Sequence, residues 1–369
     1  MIKFLEIYNM KILSLGLDNL ILDSQSAVAG RVREYGELVD KYFVIVPSSV
    51  KVEQKLSKHV QVFASGGANK IIQLFKTCLL ARKLINKEKF DIVTVQDQYY
   101  LALVAWRLAW GLKLPFELQI HGLEKFTGLR KLIAKFVIPR AQVIRVVSAR
   151  LKKRIVSEFG VQEDRVMVVP IYSELKIKNE ELRIRKEKDK FVFLTVGRLV
   201  AIKNIEMQIA AFKELVRNNK KLELWIVGEG SEKEKLVELA RGVEQIKFFA
   251  WQDDLDQFYS KANAYLLTSN YEGWGLVIIE AASYGLPIIM TDVGCAGEVI
   301  KDGESGFVIP VGDKEKLKEA MEELAHKPDF GERLGRKAQE SIRNLPTKQE
   351  TMEFYKKNWQ KAIERKKAR

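Results

Sequence analysis

Short apolar runs rich in β-branched residues alternate with segments of helical periodicity along the whole chain. The first series of runs is Lys11 to Leu17, Tyr42 to Val46, Val60 to Phe63, Ile92 to Val95, Phe116 to Ile120, Val143 to Val147 and Val166 to Val169. The second series is Phe191 to Val196, Leu222 to Val227, Ile246 to Phe249, Ala264 to Thr268, Ile288 to Thr291 and Phe307 to Ile309. Apolar strands separated by crossover helices indicate parallel sheets buried on both faces. The sequence therefore predicts an α/β protein with two tandem, doubly wound, Rossmann-like domains.

A charged segment separates the two series. Residues 176–190 carry 11 charges in 15 positions, which is typical of a linker. We therefore predict an N-terminal domain over residues 1–175, this linker, a C-terminal domain over 191–350 and a basic helix over 351–369. Because ligands of such sheets bind beyond the carboxyl ends of the strands, we expect a substrate cleft between the domains.

Positive charge is concentrated in the first half of the chain. The 369 residues contain 62 Lys and Arg against 48 Asp and Glu, and residues 1–180 contain 29 against 17. Such an excess favours nucleic acid, an anionic membrane or a phosphorylated ligand as a partner. Because no RNA-binding motif with interleaved aromatic residues is present, we do not expect nucleic acid.

Two features of the sequence concern the cellular location of the protein. No apolar run reaches the ~20 residues of a membrane-spanning helix, and residues 1–9 are too short for a signal peptide. Met10 directly precedes the first strand, so residues 1–9 are also interpreted as a possible upstream extension. We expect a cytoplasmic protein.

Candidate metal ligands are sparse. The two cysteines, Cys78 and Cys295, are far apart in sequence and the three histidines are scattered, which matches neither a zinc site nor a disulfide framework. Asp254 and Asp256 resemble a metal-binding D-x-D motif, but they begin a helical stretch, where acidic residues favour the helix dipole. We therefore expect no metal and no other cofactor.

The turn after the first strand of the second series is a candidate phosphate site. Gly197 and Arg198 follow that strand, and Lys203 precedes the next helix. A glycine turn with two cations can hold a diphosphate, since Arg offers a planar fork and Lys a point charge. The alternative is an ordinary solvated loop.

A second candidate lies in Ser269–Glu280, between a strand and a helix. Gly273 and Gly275 allow close approach of the backbone to a ligand, and free amides at a helix start suit phosphate or hydroxyl oxygens. Glu272 and Glu280 are eight residues apart, so both can face one side and accept hydrogen bonds from vicinal hydroxyls. Taken alone, Glu272 is better explained by the helix dipole and Glu280 by pairing with a surface cation.

The second half resembles family 4 of the retaining, nucleotide-sugar-dependent glycosyltransferases, which have the GT-B fold. The resemblance covers about residues 190–312. It rests on five elements in order: G-R-L-x-x-x-K-N, VGEG after a strand, S-N-Y-E-G-W-G-L-x-I-I-E, A-A-S-Y-G-L-P-I-I, and D-V-G-x-x-G-E-V-I-x-D-G-x-x-G-F-V-I. In that fold the final helix commonly crosses back to the first domain.

The resemblance implies roles for particular residues. Arg198 and Lys203 would neutralise the donor diphosphate, and Glu280 would hold the ribose hydroxyls. Glu272 would hold the transferred sugar and the phosphates, together with the amides of Gly273, Trp274, Gly275 and Leu276. His121, at the end of a first-domain strand, looks like the histidine of the family near the donor sugar. The implied catalytic residues are Arg198, Lys203, Glu272 and His121.

The first domain departs from the family pattern. Many relatives carry paired glycines after the first strand, whereas this chain offers only Ala29 and Gly30, of which Gly30 is carried over with Gly197 as a donor contact. Ala250 also stands where a glycine is common. These differences weaken the first-loop and base-binding assignments.

The resemblance implies metal-independent, retaining transfer of a sugar from a UDP- or GDP-sugar to a lipid-linked or saccharide acceptor. Cell-surface polysaccharide or glycolipid biosynthesis is the implied setting. The alternatives are a sugar-nucleotide epimerase of the same fold and a basic membrane or nucleic-acid binding protein without transferase activity.

We also expect reversible docking on an anionic membrane. An apolar stripe in the segment 126–137 has basic neighbours, and residues 356–369 contain seven cations and one acid. Taken alone, the stripe is better explained by an ordinary core-facing helix with a solvated basic edge, and the docking interpretation rests on the charge of the whole first half. The basic C-terminal helix is expected to extend the same face. The protein would then be peripheral on the inner face of the cell membrane.

Overall fold

The structure is a computed structural model that describes residues 10–123, 126–172, 190–252 and 254–367. The chain forms two compact units, one from Met1–Pro170 with Thr347–Arg369 and one from Ile171–Pro346. Residues 1–9 and all of the expected linker 176–190 except Lys190 lie outside the described residues.

The first unit is built on an eight-stranded sheet. Its strands are β1 (Lys11–Leu15), β2 (Lys41–Val46), β3 (Lys51–Lys55), β4 (Val60–Ser65), β5 (Ile92–Val95), β6 (Phe116–Ile120), β7 (Val143–Val146) and β8 (Val166–Val168). Their order is β3-β4-β2-β1-β5-β6-β7-β8, and every pair except β3 with β4 is parallel. The parallel strands are almost wholly buried, as their apolar runs predict.

Strand β3 was not expected from the sequence. It pairs antiparallel with β4, with Lys51 opposite Ser65, at the edge of the sheet. Its sequence KVEQK alternates between exposed and half-buried positions, so it lacks the apolar run that marks the parallel strands. Charged residues suit an edge because they discourage pairing with another chain.

Five helices connect these strands: α1 (Ala27–Gly36), α2 (Lys70–Lys87), α3 (Tyr100–Gly111), α4 (Gly128–Val137) and α5 (Ala149–Phe159). The connection through α1 runs from β1 to β2, in one direction along the sheet. The connections through α2, α3, α4 and α5 run in the opposite direction. Because parallel crossovers are right-handed, α1 covers one face of the sheet and α2, α3, α4 and α5 cover the other.

The second unit is a six-stranded parallel sheet. Its strands are β9 (Phe191–Val196), β10 (Leu222–Val227), β11 (Ile246–Phe249), β12 (Ala264–Leu267), β13 (Ile288–Thr291) and β14 (Phe307–Ile309), in the order β11-β10-β9-β12-β13-β14. Its helices are α6 (Ile205–Leu215), α7 (Lys233–Ala240), α8 (Asp256–Tyr259), α9 (Leu276–Ser283), α10 (Lys314–His326) and α11 (Pro328–Arg343). The two parallel-sheet units confirm the predicted pair of doubly wound α/β domains.

The last helix, α12 (Lys348–Lys367), belongs to the first unit. The chain returns to that unit at Thr347, four residues before the predicted start of the basic helix. Tyr355 stacks on Tyr35 of α1 with ring centroids 4.6 Å apart, so α12 lies on the α1 face of the sheet. The expectation that this basic helix extends the face of α4 is therefore wrong, because α4 covers the opposite face.

A buried polar network joins α12 to the sheet. Glu117 on β6 accepts hydrogen bonds from Asn358 Nδ2 at 2.6 Å and Trp359 Nε1 at 2.9 Å, both on α12. It also accepts from Thr94 Oγ1 at 2.5 Å, and Arg145 Nε on β7 lies 3.6 Å from its carboxylate. Since Glu117 and Trp359 are fully buried, these contacts link α12 directly to the core.

No helix among the described residues is long and apolar enough to cross a membrane.

Candidate functional site

The candidate site lies in the second unit at the carboxyl ends of β9 and β12. Strand β9 is the first strand of its sheet in sequence, and it lies between β10 and β12 in the sheet order. The chain therefore leaves β9 on one side for β10 and returns on the other side at β12. Such a reversal of strand order is where open α/β sheets bind ligands.

The loop after β9 carries the two predicted cations. It begins at Gly197, whose φ of +151° favours glycine, and passes through a 3-10 turn over Ala201–Lys203. Asn204 adopts a left-handed conformation with φ of +47° and leads into α6. Arg198 is exposed, and no carboxylate of the described residues pairs with it. Its guanidinium is thus available to an anionic ligand.

A second glycine turn shapes this loop. A Cβ atom at Gly228 would lie 1.9 Å from the carbonyl oxygen of Gly197, and one at Gly230 would lie 2.2 Å from that of Leu199. The two turns are joined by a hydrogen bond from the Leu199 amide to the Glu229 carbonyl at 2.8 Å. The spacing of Gly228 and Gly230 does not fit a dinucleotide motif, but both residues position the Arg198 loop, a role that the spacing did not reveal.

Lys203 and Glu272 form an ion pair across the site. The ammonium of Lys203, after β9, contacts Glu272 Oε1, after β12, and both side chains are largely buried. Ser269 Oγ donates to the same carboxylate oxygen at 2.8 Å. The structure thus brings together two of the predicted catalytic residues, which are 69 positions apart in sequence.

A buried hydrogen-bond network fixes the backbone that carries Lys203. Thr268 Oγ1 hydrogen bonds to the carbonyl oxygens of Lys203 and Asn204, each at 3.0 Å. Gln208 Nε2 on α6 donates to Thr268 Oγ1 at 2.9 Å and to Thr195 Oγ1 at 3.3 Å. The motifs in the sequence did not indicate these supporting residues. The available signal was a Thr near the end of each of two otherwise apolar runs.

The segment before α9 presents main chain to the site. Gly275 has φ of +95° at the start of α9, and the first amides of a helix have no partner within it. The Trp274 side chain is buried, so Trp274 can meet a ligand through its backbone only. Its carbonyl accepts a hydrogen bond from the Cys295 amide at 2.9 Å, which ties the segment to the loop after β13.

Glu280 on α9 is held by an aromatic neighbour. Tyr259 OH donates to Glu280 Oε2 at 2.9 Å, and the Tyr259 ring stacks on Tyr284 with centroids 5.2 Å apart. Burial raises the pKa of the Glu280 carboxyl, and the Tyr259 hydrogen bond opposes that effect. The second oxygen of the carboxylate can accept further hydrogen bonds.

Asp254 and Asp256 form hydrogen bonds within the second unit. Asp254 Oδ1 accepts the amide hydrogen of Asp256 at 2.9 Å at the start of α8, and Asp256 accepts from Tyr284 OH. The described residues contain no group of three or more His, Cys, Asp or Glu side chains that could hold a metal ion.

Two predicted site residues lie in the first unit. His121 follows β6 and keeps solvent-accessible surface, yet desolvation by the surrounding protein, with repulsion from Arg145 and Arg31, lowers its pKa to about 4. Its imidazole is therefore neutral at pH 7. Gly30 lies inside α1, and its amide donates to the Ser26 carbonyl at 3.0 Å. Gly30 thus lacks the free amide that a backbone contact to a donor would need.

Two sequence families match the chain. The profile described as Glycosyl transferases group 1 matches residues 177–341, and the profile described as Glycosyltransferase Family 4 matches residues 41–171.

Curated relatives match parts of the chain. The lipopolysaccharide core biosynthesis glycosyltransferase LpsE of Rhizobium meliloti is 29% identical over 154 residues, 41% of this chain and 44% of LpsE. The capsular polysaccharide biosynthesis glycosyltransferase CapM of Staphylococcus aureus is 26% identical over 227 residues, 58% of this chain and 60% of CapM. The chain thus matches less than two thirds of the length of either relative.

A solved structure matches the fold. Anabaena HepE in complex with UDP-glucose superposes with a TM-score of 0.72 at 17% identity, covering 95% of this chain and 99% of HepE. This likeness, together with the two parallel-sheet units, shows the two-domain GT-B fold.

Proposed function

Since the chain belongs to family 4 of the glycosyltransferases, we propose that it transfers a sugar from a nucleotide-sugar donor to a lipid-linked or saccharide acceptor. The transfer retains the anomeric configuration and needs no metal ion. The names of LpsE and CapM support a setting in cell-surface polysaccharide or glycolipid biosynthesis, and the UDP-glucose complex of HepE supports a nucleotide-sugar donor.

The observation that carries this proposal is the ion pair of Lys203 and Glu272 beside the exposed Arg198. Lys203 and Arg198 supply the positive charge that a diphosphate requires, and the first amides of α9 add neutral donors. Glu272 holds Lys203 in place in the free protein, and it can accept hydrogen bonds from sugar hydroxyls. One site thus combines groups that can bind the diphosphate of the donor with a group that can bind its sugar.

In the proposed reaction the bond between the anomeric carbon and the diphosphate oxygen breaks. The acceptor oxygen bonds to the same face of the sugar, and its proton passes to the departing phosphate. The negative charge that grows on the phosphate is stabilised by Arg198, Lys203 and the helix amides. His121 takes part as a neutral imidazole, which can hydrogen bond to a sugar hydroxyl without adding a charge.

Glu280 is assigned to the donor ribose. Its carboxylate accepts hydrogen bonds from the two vicinal hydroxyls, which is how acidic residues hold ribose in other Rossmann-like folds. Tyr259 keeps the carboxylate oriented through its hydrogen bond at 2.9 Å.

The donor is identified by thermal unfolding with UDP-, GDP- and ADP-sugars. A donor at 100 times its dissociation constant stabilises the folded protein by about 2.7 kcal/mol. The matching donor is then incubated alone and with candidate acceptors. The anomeric configuration of the product is read from its proton NMR coupling constants. Stabilisation by none of the three donors would contradict the proposed function. Release of nucleotide with epimerised sugar and no glycosylated acceptor would identify an epimerase.

The double variant Arg198→Ala, Lys203→Ala tests the site. We expect turnover to fall by at least the factor that corresponds to about 2.7 to 4 kcal/mol, the effect of removing one oxyanion donor. The matched control is Arg217→Ala, Lys220→Ala, which removes the same charges beyond the opposite end of α6. Wild-type turnover in the site variant, or an equal loss in the control, would refute the assignment.

A further inference from the structure

The face of the first unit formed by α2, α3 and α4 has an unusual surface. The three helices lie side by side, since α3 packs against both α2 and α4. Trp106 of α3 contacts Phe136 of α4 edge to face, with ring centroids 4.8 Å apart. We call this surface the α2–α4 face. It lies on the opposite side of the sheet from α1 and α12.

Large apolar side chains project from this face into solvent. On α2, Ile71 is 80% exposed and Phe75 is 63% exposed, and Trp110 at the end of α3 is 63% exposed. On α4, Leu129 is 60% exposed and Leu132 is 65% exposed. Single exposed apolar residues are common, but a group of them on adjacent helices marks an interaction surface.

The charged residues within these three helices all have one sign. The sequences of α2, α3 and α4 contain five, one and three Lys or Arg residues and no Asp or Glu. Two cations lie over exposed aromatic rings, Arg107 over Trp110 at 5.0 Å and Arg140 over Phe136 at 3.7 Å from the ring centroids. Cationic and aromatic side chains therefore share one surface without acidic residues from these helices.

We propose that the α2–α4 face docks on an anionic lipid bilayer. Helices that lie in the membrane interface combine Lys and Arg with Trp, Phe and Leu in this way, and tryptophan rings favour the headgroup level. Each basic residue near an anionic surface adds electrostatic attraction, and each apolar side chain that enters the bilayer adds hydrophobic binding energy.

A second copy of the chain fits this face less well. A symmetric dimer would place the same patch on both sides of the interface, so the cations of one copy would face those of the other. The exposed apolar side chains also reach from the helix starts, at Ile71 and Leu129, to the end of α3, at Trp110, which suits a broad surface such as a bilayer.

The orientation of the helices relates this face to His121. Helices that follow parallel strands run antiparallel to them, so the starts of α2 and α4 lie at the carboxyl edge of the sheet. Ile71, Leu129 and Leu132 lie near those starts, and His121 ends β6 at the same edge. Docking through these side chains would bring that edge next to the lipid headgroups. The docking itself does not depend on the proposed transferase activity.

The test is sedimentation of the full chain with vesicles of phosphatidylcholine alone or with one third phosphatidylglycerol. We expect binding to the anionic vesicles only, fading between ~0.1 M and ~1 M salt as the Debye length falls from ~10 to ~3 Å. Equal sedimentation with both vesicle types at low salt would overturn the proposal.

Substitutions of apolar residues distinguish the contribution of side-chain insertion to vesicle binding from the contribution of charge. In Phe75→Ser, Leu132→Ser we expect the partition coefficient to fall by about tenfold or more, because two inserted side chains are lost. The matched control is Val237→Ser, Leu239→Ser, which removes two exposed apolar side chains from α7 in the second unit. Thermal unfolding checks that both variants fold. An unchanged partition coefficient in the first variant, or an equal loss in the control, would overturn the proposal.

Two further measurements exclude other occupants. Sedimentation equilibrium without vesicles would reveal a dimer, and a dimer abolished by Phe75→Ser, Leu132→Ser would replace the bilayer with a second copy. Binding to polyaspartate that is as tight as vesicle binding, and lost in the same variant, would indicate an acidic protein. Donor hydrolysis is measured in every variant, so loss of docking with intact hydrolysis is distinguished from failure of the proposed function.

Discussion

Glu117 is the buried carboxylate that joins α12 to the first-unit sheet, and its replacement by Gln should loosen that helix. The carboxylate lies 3.6 Å from Arg145 Nε and accepts hydrogen bonds from Asn358 and Trp359 of α12. Glu117→Gln retains the side-chain volume but removes the negative charge, so the guanidinium of Arg145 stays buried without a counter-ion.

The expected cost follows from these contacts. Removing one partner of a buried ion pair costs about 3 to 5 kcal/mol. Asn358 Oδ1 has no hydrogen-bond partner among the described residues, so a flip of that amide can accept a hydrogen from the new Gln. We therefore expect the lower end, about 3 kcal/mol. Trp359→Phe removes one donor to a charged group and should cost less, about 1.5 to 3 kcal/mol.

Hydrogen exchange followed by mass spectrometry measures the effect where it occurs. Two-domain proteins need not unfold in one step, so a single free energy of unfolding is a poor readout. A loss of about 3 kcal/mol corresponds to exchange of the α12 amides faster by about two powers of ten. The control Glu353→Gln removes an exposed carboxylate from the same helix and should change stability by less than about 0.5 kcal/mol. Wild-type protection of α12 in Glu117→Gln would show that the carboxylate does not hold this helix on the sheet.

Three other outcomes are expected. Donor affinity, measured by titration calorimetry, should fall as pH drops through the raised pKa of Glu280, since only the ionised carboxylate accepts both ribose hydroxyls. Glu280→Gln should weaken donor binding and remove this loss of affinity at low pH. His121, with a pKa of about 4, stays neutral above pH 4 and should not contribute to the loss. A fall in affinity near pH 6.5 that persists in Glu280→Gln would contradict this assignment. Activity should survive EDTA, whereas a requirement restored only by Mn²⁺ or Mg²⁺ would contradict metal-independent transfer. Gly228→Ala should displace the Arg198 loop, because its Cβ would lie 1.9 Å from the Gly197 carbonyl oxygen. Turnover should therefore fall strongly while the melting temperature changes little. Normal turnover would show that the loop accommodates the methyl group.

The alternation of apolar runs and periodic segments was sufficient to predict most of the fold. A parallel strand covered on both faces must be apolar along its length, so each of the thirteen parallel strands in the described part of the chain is visible locally in the sequence. Strand β3 was missed because an antiparallel edge strand is half exposed and carries the charges of an ordinary loop. The cations and acids of the candidate site were visible because they lie in the segments that follow two apolar runs.

The sequence alone could not determine which distant groups meet. Lys203 and Glu272 pair across 69 positions, and Glu117 and Trp359 across 242, through contacts that exist only once the strands take their order in the sheet. The handedness of the crossovers puts α1 and α4 on opposite faces, and the stacking of Tyr355 on Tyr35 puts α12 with α1, which reverses the expectation for the basic tail. Local patterns determine how deeply each element is buried, because burial depends on its own side chains. Pairing across the fold depends on topology, which follows from the packing of all elements together.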